Sequence, residues 1–413
     1  MASEHRLGFD TFKSTDPDPW HQIRRDRERC PVVHVEAANG FSFLQVGTYD
    51  LVREVLRQPE VFSNRMGVIP RGAEGDEEQV LEFADPPEHT IHRALIGKAF
   101  SAARVNERHA RIQAVADDLV DEIAEAGNGF QLRARFGRQL PSRIISEILG
   151  VPDEDRARFI EWSEIGEAAV GQLEPDSGTV KAQEAFLEYC RKCLRDRLNS
   201  PRDDLLSTII HAQQDGQRFT ETEAAAMVRL LLAAGNGTTS IGISNLVYLL
   251  ETNPDEKRRL LADMDGLIAS AVEEGFRYDC PVQGNLRGVL RETEVGGHKL
   301  MPGDRAYLFY TSANHDPAHY DEPDRFRIDR DWTREARHYA FGFGIHFCLG
   351  AELARAETQI AIRTLYTRLP NLRMKAGFRP QQVPGMVFRT WAEIEMEYDG
   401  APLPRLSESS GAG

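Results

Sequence analysis

Helical periodicity dominates the pattern of hydrophobic and polar positions along this chain. Between residues 104 and 125, Val105, Ile112 and Leu119 recur at helix-compatible steps with charged residues between them, as in an amphipathic helix. Similar stretches span 140–150, 179–198, 255–278 and 350–368. Strand-like runs are short and few, at 32–35, 41–46, 295–300, 305–310 and 392–398. The pattern predicts a mainly α protein with small β-sheets.

One predicted helix is unusually long. Thr220 and Glu223 form a capping box, and apolar periodicity continues to about Thr252, before Asn253-Pro254. About thirty residues at roughly 1.5 Å each span roughly 45 Å, enough to cross a whole domain. The centre of this helix, residues 233–240, reads AAGNGTTS, and each glycine there costs about 1 kcal/mol relative to alanine. Such a centre indicates either close packing against a neighbouring helix or a ligand or cofactor lying against it.

Composition and charge narrow the class of protein. The 413 residues are 41% hydrophobic and 28% charged, which is typical of a soluble globular protein. Fifty basic against 65 acidic residues give a net charge of −15, which argues against a nucleic-acid binder. Five scattered cysteines, an odd number, argue against a disulfide framework and favour a reducing compartment.

The distribution of apolar and linker-like segments sets expectations for location and organisation. We find no signal peptide and no run near the roughly 20 apolar residues of a membrane helix, so we expect a cytoplasmic protein without a membrane anchor. Because no repeat or linker divides the chain, we expect one domain over residues 1–403 and a flexible tail over 404–413. We also expect a monomer.

A glycine-rich aromatic loop that leads into a helix carries Cys348. Glycines at 342, 344 and 350 let backbone N–H groups approach the sulfur, and the helix N-terminus adds partial positive charge. We expect both features to lower the pKa of this cysteine. A single thiolate without a CxxC partner does not suit zinc or an iron–sulfur cluster, which need three or four ligands. It suits a nucleophile or an axial haem ligand.

This loop resembles the haem-thiolate signature of the cytochrome P450 superfamily, F-x-x-G-x-H/R-x-C-x-G. The sequence matches at Phe341, Gly344, His346, Cys348 and Gly350. Three more stretches resemble family motifs in the family's order, namely the E-x-x-R pair at 274–277, the central-helix segment A-G-x-[D/E]-T-[T/S] at 234–239, and a propionate-gripping stretch at 85–93. The resemblance covers residues 18 to 398 and is to the bacterial soluble members.

The resemblance implies a cytochrome P450 fold with haem b between the long central helix and the helix after the cysteine loop. Cys348 would be the iron ligand, and four cationic or imidazole side chains would bind the haem propionates. Glu274 and Arg277 would be structural, joined by Arg325 or Arg330. The implied cofactor-binding residues are His89, Arg93, Ala234, Gly235, Arg287, Phe341, Gly342, His346, Cys348 and Gly350.

The central helix departs from the family pattern at one position. Gly237 stands where an acid usually precedes the threonine, and the acid and alcohol together are assigned to deliver the two protons that O2 cleavage requires. Thr238 keeps the alcohol, but a glycine can transfer no proton. We expect ordered water, water oriented by Asn236, or a polar group of the substrate to complete the relay. Asn236, Gly237 and Thr238 are the predicted catalytic residues.

The resemblance implies a monooxygenase that inserts one oxygen atom from O2 into a small hydrophobic substrate by hydroxylation, O-dealkylation or epoxidation. Its electrons would come from a separate ferredoxin with an NAD(P)H-dependent reductase. Gly237 keeps two other chemistries open, a nitric oxide reductase-like and a peroxide-driven enzyme. A non-catalytic haem sensor is the alternative from a different class.

The predicted substrate contacts are mostly apolar, which indicates a compact terpenoid, steroid fragment or aromatic, with Asn285 or Gln283 orienting one polar group. The predicted lining is Met66, Val68, Ile69, Leu231, Ala234, Val282, Gln283, Asn285, Val387 and Phe388. The ferredoxin would dock over the cysteine side, on a basic patch. The predicted patch is Lys98, Arg104, Arg108, Arg337 and Arg355.

Overall fold

Helices make up most of the computed structural model, and its sheets are small, as the hydrophobic pattern predicts. The structure describes residues 9–10, 13–36, 41–69, 79–170, 176–214 and 216–409. Within these ranges, each helix is too short or too polar to traverse a membrane. The helices are α1 (Trp20–Arg29), α2 (Tyr49–Leu56), α3 (Glu88–Ile96), α4 (Ala102–Asn106), α5 (His109–Ala126), α6 (Gln139–Leu149), α7 (Arg156–Ala169), α8 (Ser177–Asn199), α9 (Leu205–His211), α10 (Glu221–Thr252), α11 (Pro254–Ala262), α12 (Met264–Tyr278), α13 (Tyr310–Ala313), α14 (Ala351–Arg368) and α15 (Leu406–Ser409).

The largest sheet has five strands in the order β1-β2-β8-β5-β3, and only the β2–β8 pair is parallel. Three smaller sheets pair β4 with β12 and β9, β6 with β7, and β10 with β11. The strands are β1 (Val32–Glu36), β2 (Ser42–Val46), β3 (Phe62–Ser63), β4 (Gly129–Gln131), β5 (Gly284–Val289), β6 (Thr293–Val295), β7 (His298–Leu300), β8 (Arg305–Phe309), β9 (Arg373–Met374), β10 (Gln382–Val383), β11 (Thr390–Trp391) and β12 (Glu395–Glu397).

The long central helix is confirmed as α10, which has 32 residues. Its capping box is formed, because the Glu223 N–H donates to Thr220 Oγ1 at 3.1 Å and the Thr220 N–H donates to Glu223 Oε2 at 2.8 Å. Asn253 ends the helix before Pro254 begins α11. The helix packs against α6, α7, α8, α12 and α14, so it forms the centre of the molecule.

Three segments differ from the sequence predictions. Residues 255–278 form two helices, because the Asp263 carboxylate accepts a hydrogen bond from the Gly266 N–H at 3.0 Å and caps α12. Residues 295–300 are not one strand, because Gly296 and Gly297, with φ of +56° and +83°, form a turn that separates the end of β6 from β7. The expected tail is helical over Leu406–Ser409 and packs on α5. Residues 410–413 lie outside the described residues.

The predicted structural pair forms a fully buried ion cluster. Arg277 donates to both carboxylate oxygens of Glu274, at 2.7 and 2.9 Å, and Arg330 Nε donates to Oε2 of the same residue at 2.9 Å. Arg325 stays at the surface beside Glu322. Because each charge has a partner, the cluster ties α12 to the segment around residues 314–330 without leaving a charge unsatisfied.

Helices α10 and α12 cross closely because glycines face the contact on both sides. A Cβ atom on Gly242 would lie 2.7 Å from Cε1 of Phe276, and a Cβ on Gly275 would lie 3.0 Å from Cδ1 of Leu246. The Phe276 ring is buried and packs edge-on against Phe341, with ring centroids 4.9 Å apart. The crossing therefore connects the central helix to the cysteine loop.

Gly242→Ala should lower the free energy of unfolding by about 1–3 kcal/mol, since the buried Phe276 ring would have to shift to make room for the added Cβ. The control is Gly166→Ala in α7, where no atom lies within 4 Å of the added Cβ. That control should be neutral or should stabilise the protein by up to about 1 kcal/mol. Urea unfolding followed by circular dichroism measures both, and equal effects of the two changes would contradict the close crossing.

The carboxyl group of Glu357 on α14 is almost completely buried, with 1% of the residue exposed. Burial raises its pKa from the ordinary 4.5 to about 8. The folded protein therefore holds the proton more tightly than the unfolded chain does. This contribution to stability is complete below about pH 4.5 and is lost as the pH rises toward 8.

Glu357→Gln should have similar stability to the natural protein near pH 5 and should exceed it by about 2–4 kcal/mol near pH 8, because a neutral amide needs no proton. Glu352→Gln, an exposed position on the same helix, serves as the control. Urea titrations of the three proteins at both pH values give the comparison. A stability difference that does not change with pH would show that the Glu357 carboxyl titrates normally.

Candidate functional site

The cysteine loop is a tight turn whose shape depends on two glycines. The Cys348 N–H donates to the Phe341 carbonyl at 2.9 Å and so closes the loop. Gly342 and Gly344 adopt φ of +67° and +74°, and a Cβ on Gly344 would lie 2.7 Å from the Leu56 carbonyl oxygen. Residues with side chains would strain both positions. The loop presents Cys348 directly before α14 begins.

The pKa of the Cys348 thiol differs from the sequence prediction. Although Cys348 is exposed, desolvation by the surrounding protein atoms raises the pKa of its thiol to about 11. This burial outweighs the hydrogen bond from the Gly350 N–H, which acts in the opposite direction. The loop alone therefore keeps the thiol protonated at neutral pH, and a metal cation bound to the sulfur would displace the proton.

Four predicted propionate ligands converge beside Cys348. The His89 and His346 rings lie with centroids 4.2 Å apart. Burial first, and then the charges of Arg287, His89 and Arg93, lower the His346 pKa to about 2. Arg93 lies close enough to Cys348 for the two charges to interact. The structure thus brings together residues from α3, β5 and the cysteine loop.

The donor set at this cluster fits haem. Both ring nitrogens of His89 and Nε2 of His346 are buried without a hydrogen-bond partner among the described residues, which is costly unless an acceptor is bound there. Two imidazoles and two arginines suit a pair of carboxylates, and the single sulfur of Cys348 suits one axial position of an iron. Haem b combines these two chemical features.

The central part of α10 carries small residues that leave part of the helix surface open. Ala233 and Ala234 are exposed although they stand at the middle of the helix, and Thr238 is half-buried. The Thr238 hydroxyl donates to the Ala234 carbonyl at 2.8 Å. Ala234 and Thr238 lie one turn apart and therefore share one face of the helix. This open face can accept a flat ligand.

The Asn236 side chain lies on the opposite side of α10 from Thr238, although its predicted role is to orient water beside Thr238. Its Oδ1 accepts from the Ser142 hydroxyl at 2.7 Å, and its Nδ2 donates to the Ser163 hydroxyl at 2.9 Å. Residues two apart on a helix point about 200° apart, so this side chain faces away from Thr238. The structure assigns Asn236 to the packing of α10 on α6 and α7, and not to orienting water.

Both glycines at the helix centre lie against neighbouring helices, as close packing predicts. A Cβ on Gly235 would contact Ile145 of α6 at 3.5 Å, and a Cβ on Gly237 would lie 3.2 Å from Oε2 of Glu167 on α7. No local sequence pattern indicates Glu167, because its contact with α10 is made only in the folded protein. Helix α10 itself continues through this segment without interruption.

The predicted substrate segments meet around β5. The Leu286 N–H donates to the Val68 carbonyl at 2.8 Å, and the Gln283 N–H donates to the Val387 carbonyl at 2.7 Å. Gln283 Nε2 also donates to the Gly385 carbonyl at 2.6 Å, so this amide nitrogen holds a turn. Residues 70–78 of the predicted loop lie outside the described residues. Buried members of the lining are Val68, Leu231, Gln283 and Val387; partly exposed members are Met66, Ile69, Val282, Asn285 and Phe388.

The basic patch is smaller than the sequence predicts. Arg104 pairs with Glu107 at 2.9 Å, and Arg355 pairs with Glu273 at 2.5 Å. The Arg355 charge is therefore compensated inside the fold. Lys98 and Arg337 are exposed, and the Arg337 guanidinium lies 3.9 Å from the ring centroid of Phe347, next to the cysteine. These two cations are the better candidates for a partner surface.

Comparisons with known proteins identify the family of this chain. The Cytochrome P450 family model matches residues 178–369. The chain is 36% identical over 385 residues to cytochrome P450 107B1 of Saccharopolyspora erythraea, covering 90% of this chain and 92% of the relative. It is also 36% identical to the vitamin D(3) 25-hydroxylase of Pseudonocardia autotrophica, covering 91% and 92%.

A solved structure, cytochrome P450 CYP109Q5 from Chondromyces apiculatus, superimposes with a TM-score of 0.83 at 30% identity, covering 94% of this chain and 96% of that one. The relatives include enzymes named as hydroxylases and monooxygenases, which favours an oxygenase over the sensor and reductase alternatives. The cofactor of this family is haem b, held through a cysteine thiolate. The chain therefore belongs to the cytochrome P450 family and is a haem monooxygenase.

Proposed function

We propose that this enzyme inserts one oxygen atom from O2 into a compact hydrophobic substrate, using electrons from a separate ferredoxin and its NAD(P)H-dependent reductase. The observation that carries the proposal is the convergence of Cys348 with His89, Arg93, Arg287 and His346. This donor set suits one iron ligand and two carboxylates at the same place. The open face of α10 provides the opposite wall.

In this proposal each group has a separate task. Cys348 would ligate the iron, and the four cationic or imidazole side chains would bind the propionates and so fix the orientation of the haem. Haem, when bound, supplies the reductive activation of O2. Ala234 would contact the haem from α10, while Phe341, Gly342 and Gly350 would contact it from the cysteine loop.

The Thr238 hydroxyl is the proton-handling group on α10. Its donor bond to Ala234 leaves the oxygen lone pairs free to accept a hydrogen bond from water or from the substrate. Gly237 contributes no proton itself. Water or a polar group of the substrate therefore completes the path to Thr238.

The reaction class is tested by spectroscopy followed by turnover. The carbon monoxide complex of the reduced protein should show the spectrum of a thiolate-ligated haem, and Cys348→Ser should lose that spectrum. Product should then form with ferredoxin, its reductase and O2. Turnover only with NADH and nitric oxide, or no turnover after a broad substrate screen, would contradict the monooxygenase proposal.

A compact apolar molecule with one polar group fits the partly exposed lining. Asn285 and Arg287 are two residues apart on β5 and therefore lie on the same face of the strand. The Asn285 amide thus points to the side on which Arg287 lies near the other predicted propionate ligands. Gln283 shares this face, but its amide nitrogen already holds the turn at Gly385. The relative named a vitamin D(3) 25-hydroxylase makes a sterol-like substrate a reasonable first class to screen.

Asn285→Ala should weaken binding of a hydroxyl- or carbonyl-bearing ligand about five- to tenfold, the effect of one lost hydrogen bond. The matched hydrocarbon without the polar group should bind both proteins equally. Titrations of the haem spin-state shift with each ligand pair measure the two constants. Equal losses for both ligands would mean that Asn285 affects only the shape of the pocket.

Reversing the charge at Lys98 and Arg337 together should slow reduction by ferredoxin about tenfold at low salt, because steering of an acidic partner depends on these cations. The difference should shrink at high salt. Stopped-flow reduction measures the rate, and substrate binding should not change. Lys299→Glu on β7, an exposed lysine outside the patch, is the control. An unchanged rate in the double variant would place the docking surface elsewhere.

A further inference from the structure

Helix α10 has no carboxylate at residue 237, but a carboxylate from another helix lies at the same place. A Cβ on Gly237 would lie 3.2 Å from Oε2 and 3.5 Å from Cδ of Glu167, near the end of α7. The Glu167 carboxylate therefore takes the space that a side chain at residue 237, the neighbour of Thr238, would occupy. We propose that Glu167 is the acid of this enzyme's proton relay, supplied by α7 instead of α10. This inference rests on the proposed monooxygenase function.

Two arginines hold the Glu167 carboxylate in this position. Arg133, in the turn before α6, forms an ion pair with Oε1, and the side chains are only 6% and 14% exposed. Arg138 Nη2 lies 3.9 Å from Oε2. Oε1 is thus bound on the side away from Gly237, and Oε2 is the oxygen that faces α10. A flexible surface glutamate would not be oriented in this way.

A polar route connects this carboxylate to solvent. Arg138 Nη1 donates to Glu164 Oε1 at 2.6 Å, and Glu164 stands about one turn before Glu167 on α7. Side-chain exposure falls from 42% at Glu164 to 24% at Arg138 and 14% at Glu167. Water can follow this sequence of charged groups inward. The route ends at the Oε2 atom beside Gly237.

The proposed step moves a proton without moving electrons. The reaction consumes two protons for each O2, and bulk water is excluded from such a site. The O–H bond of the Glu167 carboxylic acid breaks, and its proton forms an O–H bond on a water molecule that is hydrogen-bonded to the Thr238 hydroxyl. That water gives one of its own protons to Thr238 Oγ1, and the Thr238 O–H proton passes on to the oxygen that is being reduced. The resulting carboxylate regains a proton from solvent water along the route past Glu164. The Arg138 guanidinium donates hydrogen bonds that orient that water.

The decisive experiment moves the carboxylate from one helix to the other. Glu167→Gln should lower the amount of product formed per O2 consumed at least about tenfold with ferredoxin and O2. Hydrogen peroxide carries its own protons, so peroxide-driven product formation should change less than twofold. Gly237→Asp should not increase coupling, because its carboxylate would crowd that of Glu167. The double variant Glu167→Gln with Gly237→Asp should recover coupling, the amount of product formed per O2 consumed, to within about threefold of the natural enzyme.

The thermal midpoint of unfolding tests the same contact independently of turnover. Gly237→Asp should lower the midpoint in the natural background and lower it less in the Glu167→Gln background. Glu161→Gln, an exposed glutamate on the same helix, is the control and should change neither coupling nor midpoint. If Glu167→Gln does not fold because Arg133 loses its partner, Arg133→Gln combined with Glu167→Gln removes both charges and carries the same expectation for coupling.

Each result separates this inference from the proposed function. A natural enzyme that forms no product with ferredoxin and O2 contradicts the monooxygenase proposal itself. An active natural enzyme with unchanged coupling in Glu167→Gln overturns only the role of Glu167. Equal midpoint shifts of Gly237→Asp in both backgrounds overturn the contact. A double variant that regains its thermal midpoint but not its coupling shows that the carboxylate is structural.

Discussion

The close crossing of α10 and α12 is the contact on which the rest of the site depends. Gly242 lets the Phe276 ring approach the central helix, and that ring packs against Phe341. The Phe341 carbonyl in turn accepts the backbone N–H of Cys348. One continuous series of contacts therefore sets the distance between the thiol and the helix that carries Thr238. The neighbouring Glu274 cluster anchors α12 from its other side.

Local signals explain what the sequence predicts well. The bounds of α10 follow from a capping box and a proline, both of which act within a few residues. The break at Asp263 and the turn at Gly296-Gly297 also have local causes, and a closer reading of helix caps and glycine pairs could have found them. The family motifs are local in the same sense, because each is a short stretch with a fixed spacing.

Contacts between residues far apart in the chain explain why some properties of the site could not be predicted from the sequence. The direction of Asn236 depends on Ser142 and Ser163, which lie on two other helices. The compensation of Arg355 depends on Glu273, 82 residues away. The thiol pKa of Cys348 is raised because burial, a property of the whole fold, outweighs the local effect of the Gly350 N–H. In each case, residue type is visible in the sequence but its surroundings are not.

The folded structure indicates a role for Gly237, the residue before Thr238, that the sequence does not show. In the sequence it marks a lost acid, whereas in the structure it makes room for the carboxylate of Glu167. The most direct measurement is a high-resolution crystal structure of the haem-bound enzyme. The account predicts Glu167 Oε2 against Gly237, with ordered water joining it to the Thr238 hydroxyl. A Glu167 side chain turned toward solvent, with no water between it and Thr238, would contradict it.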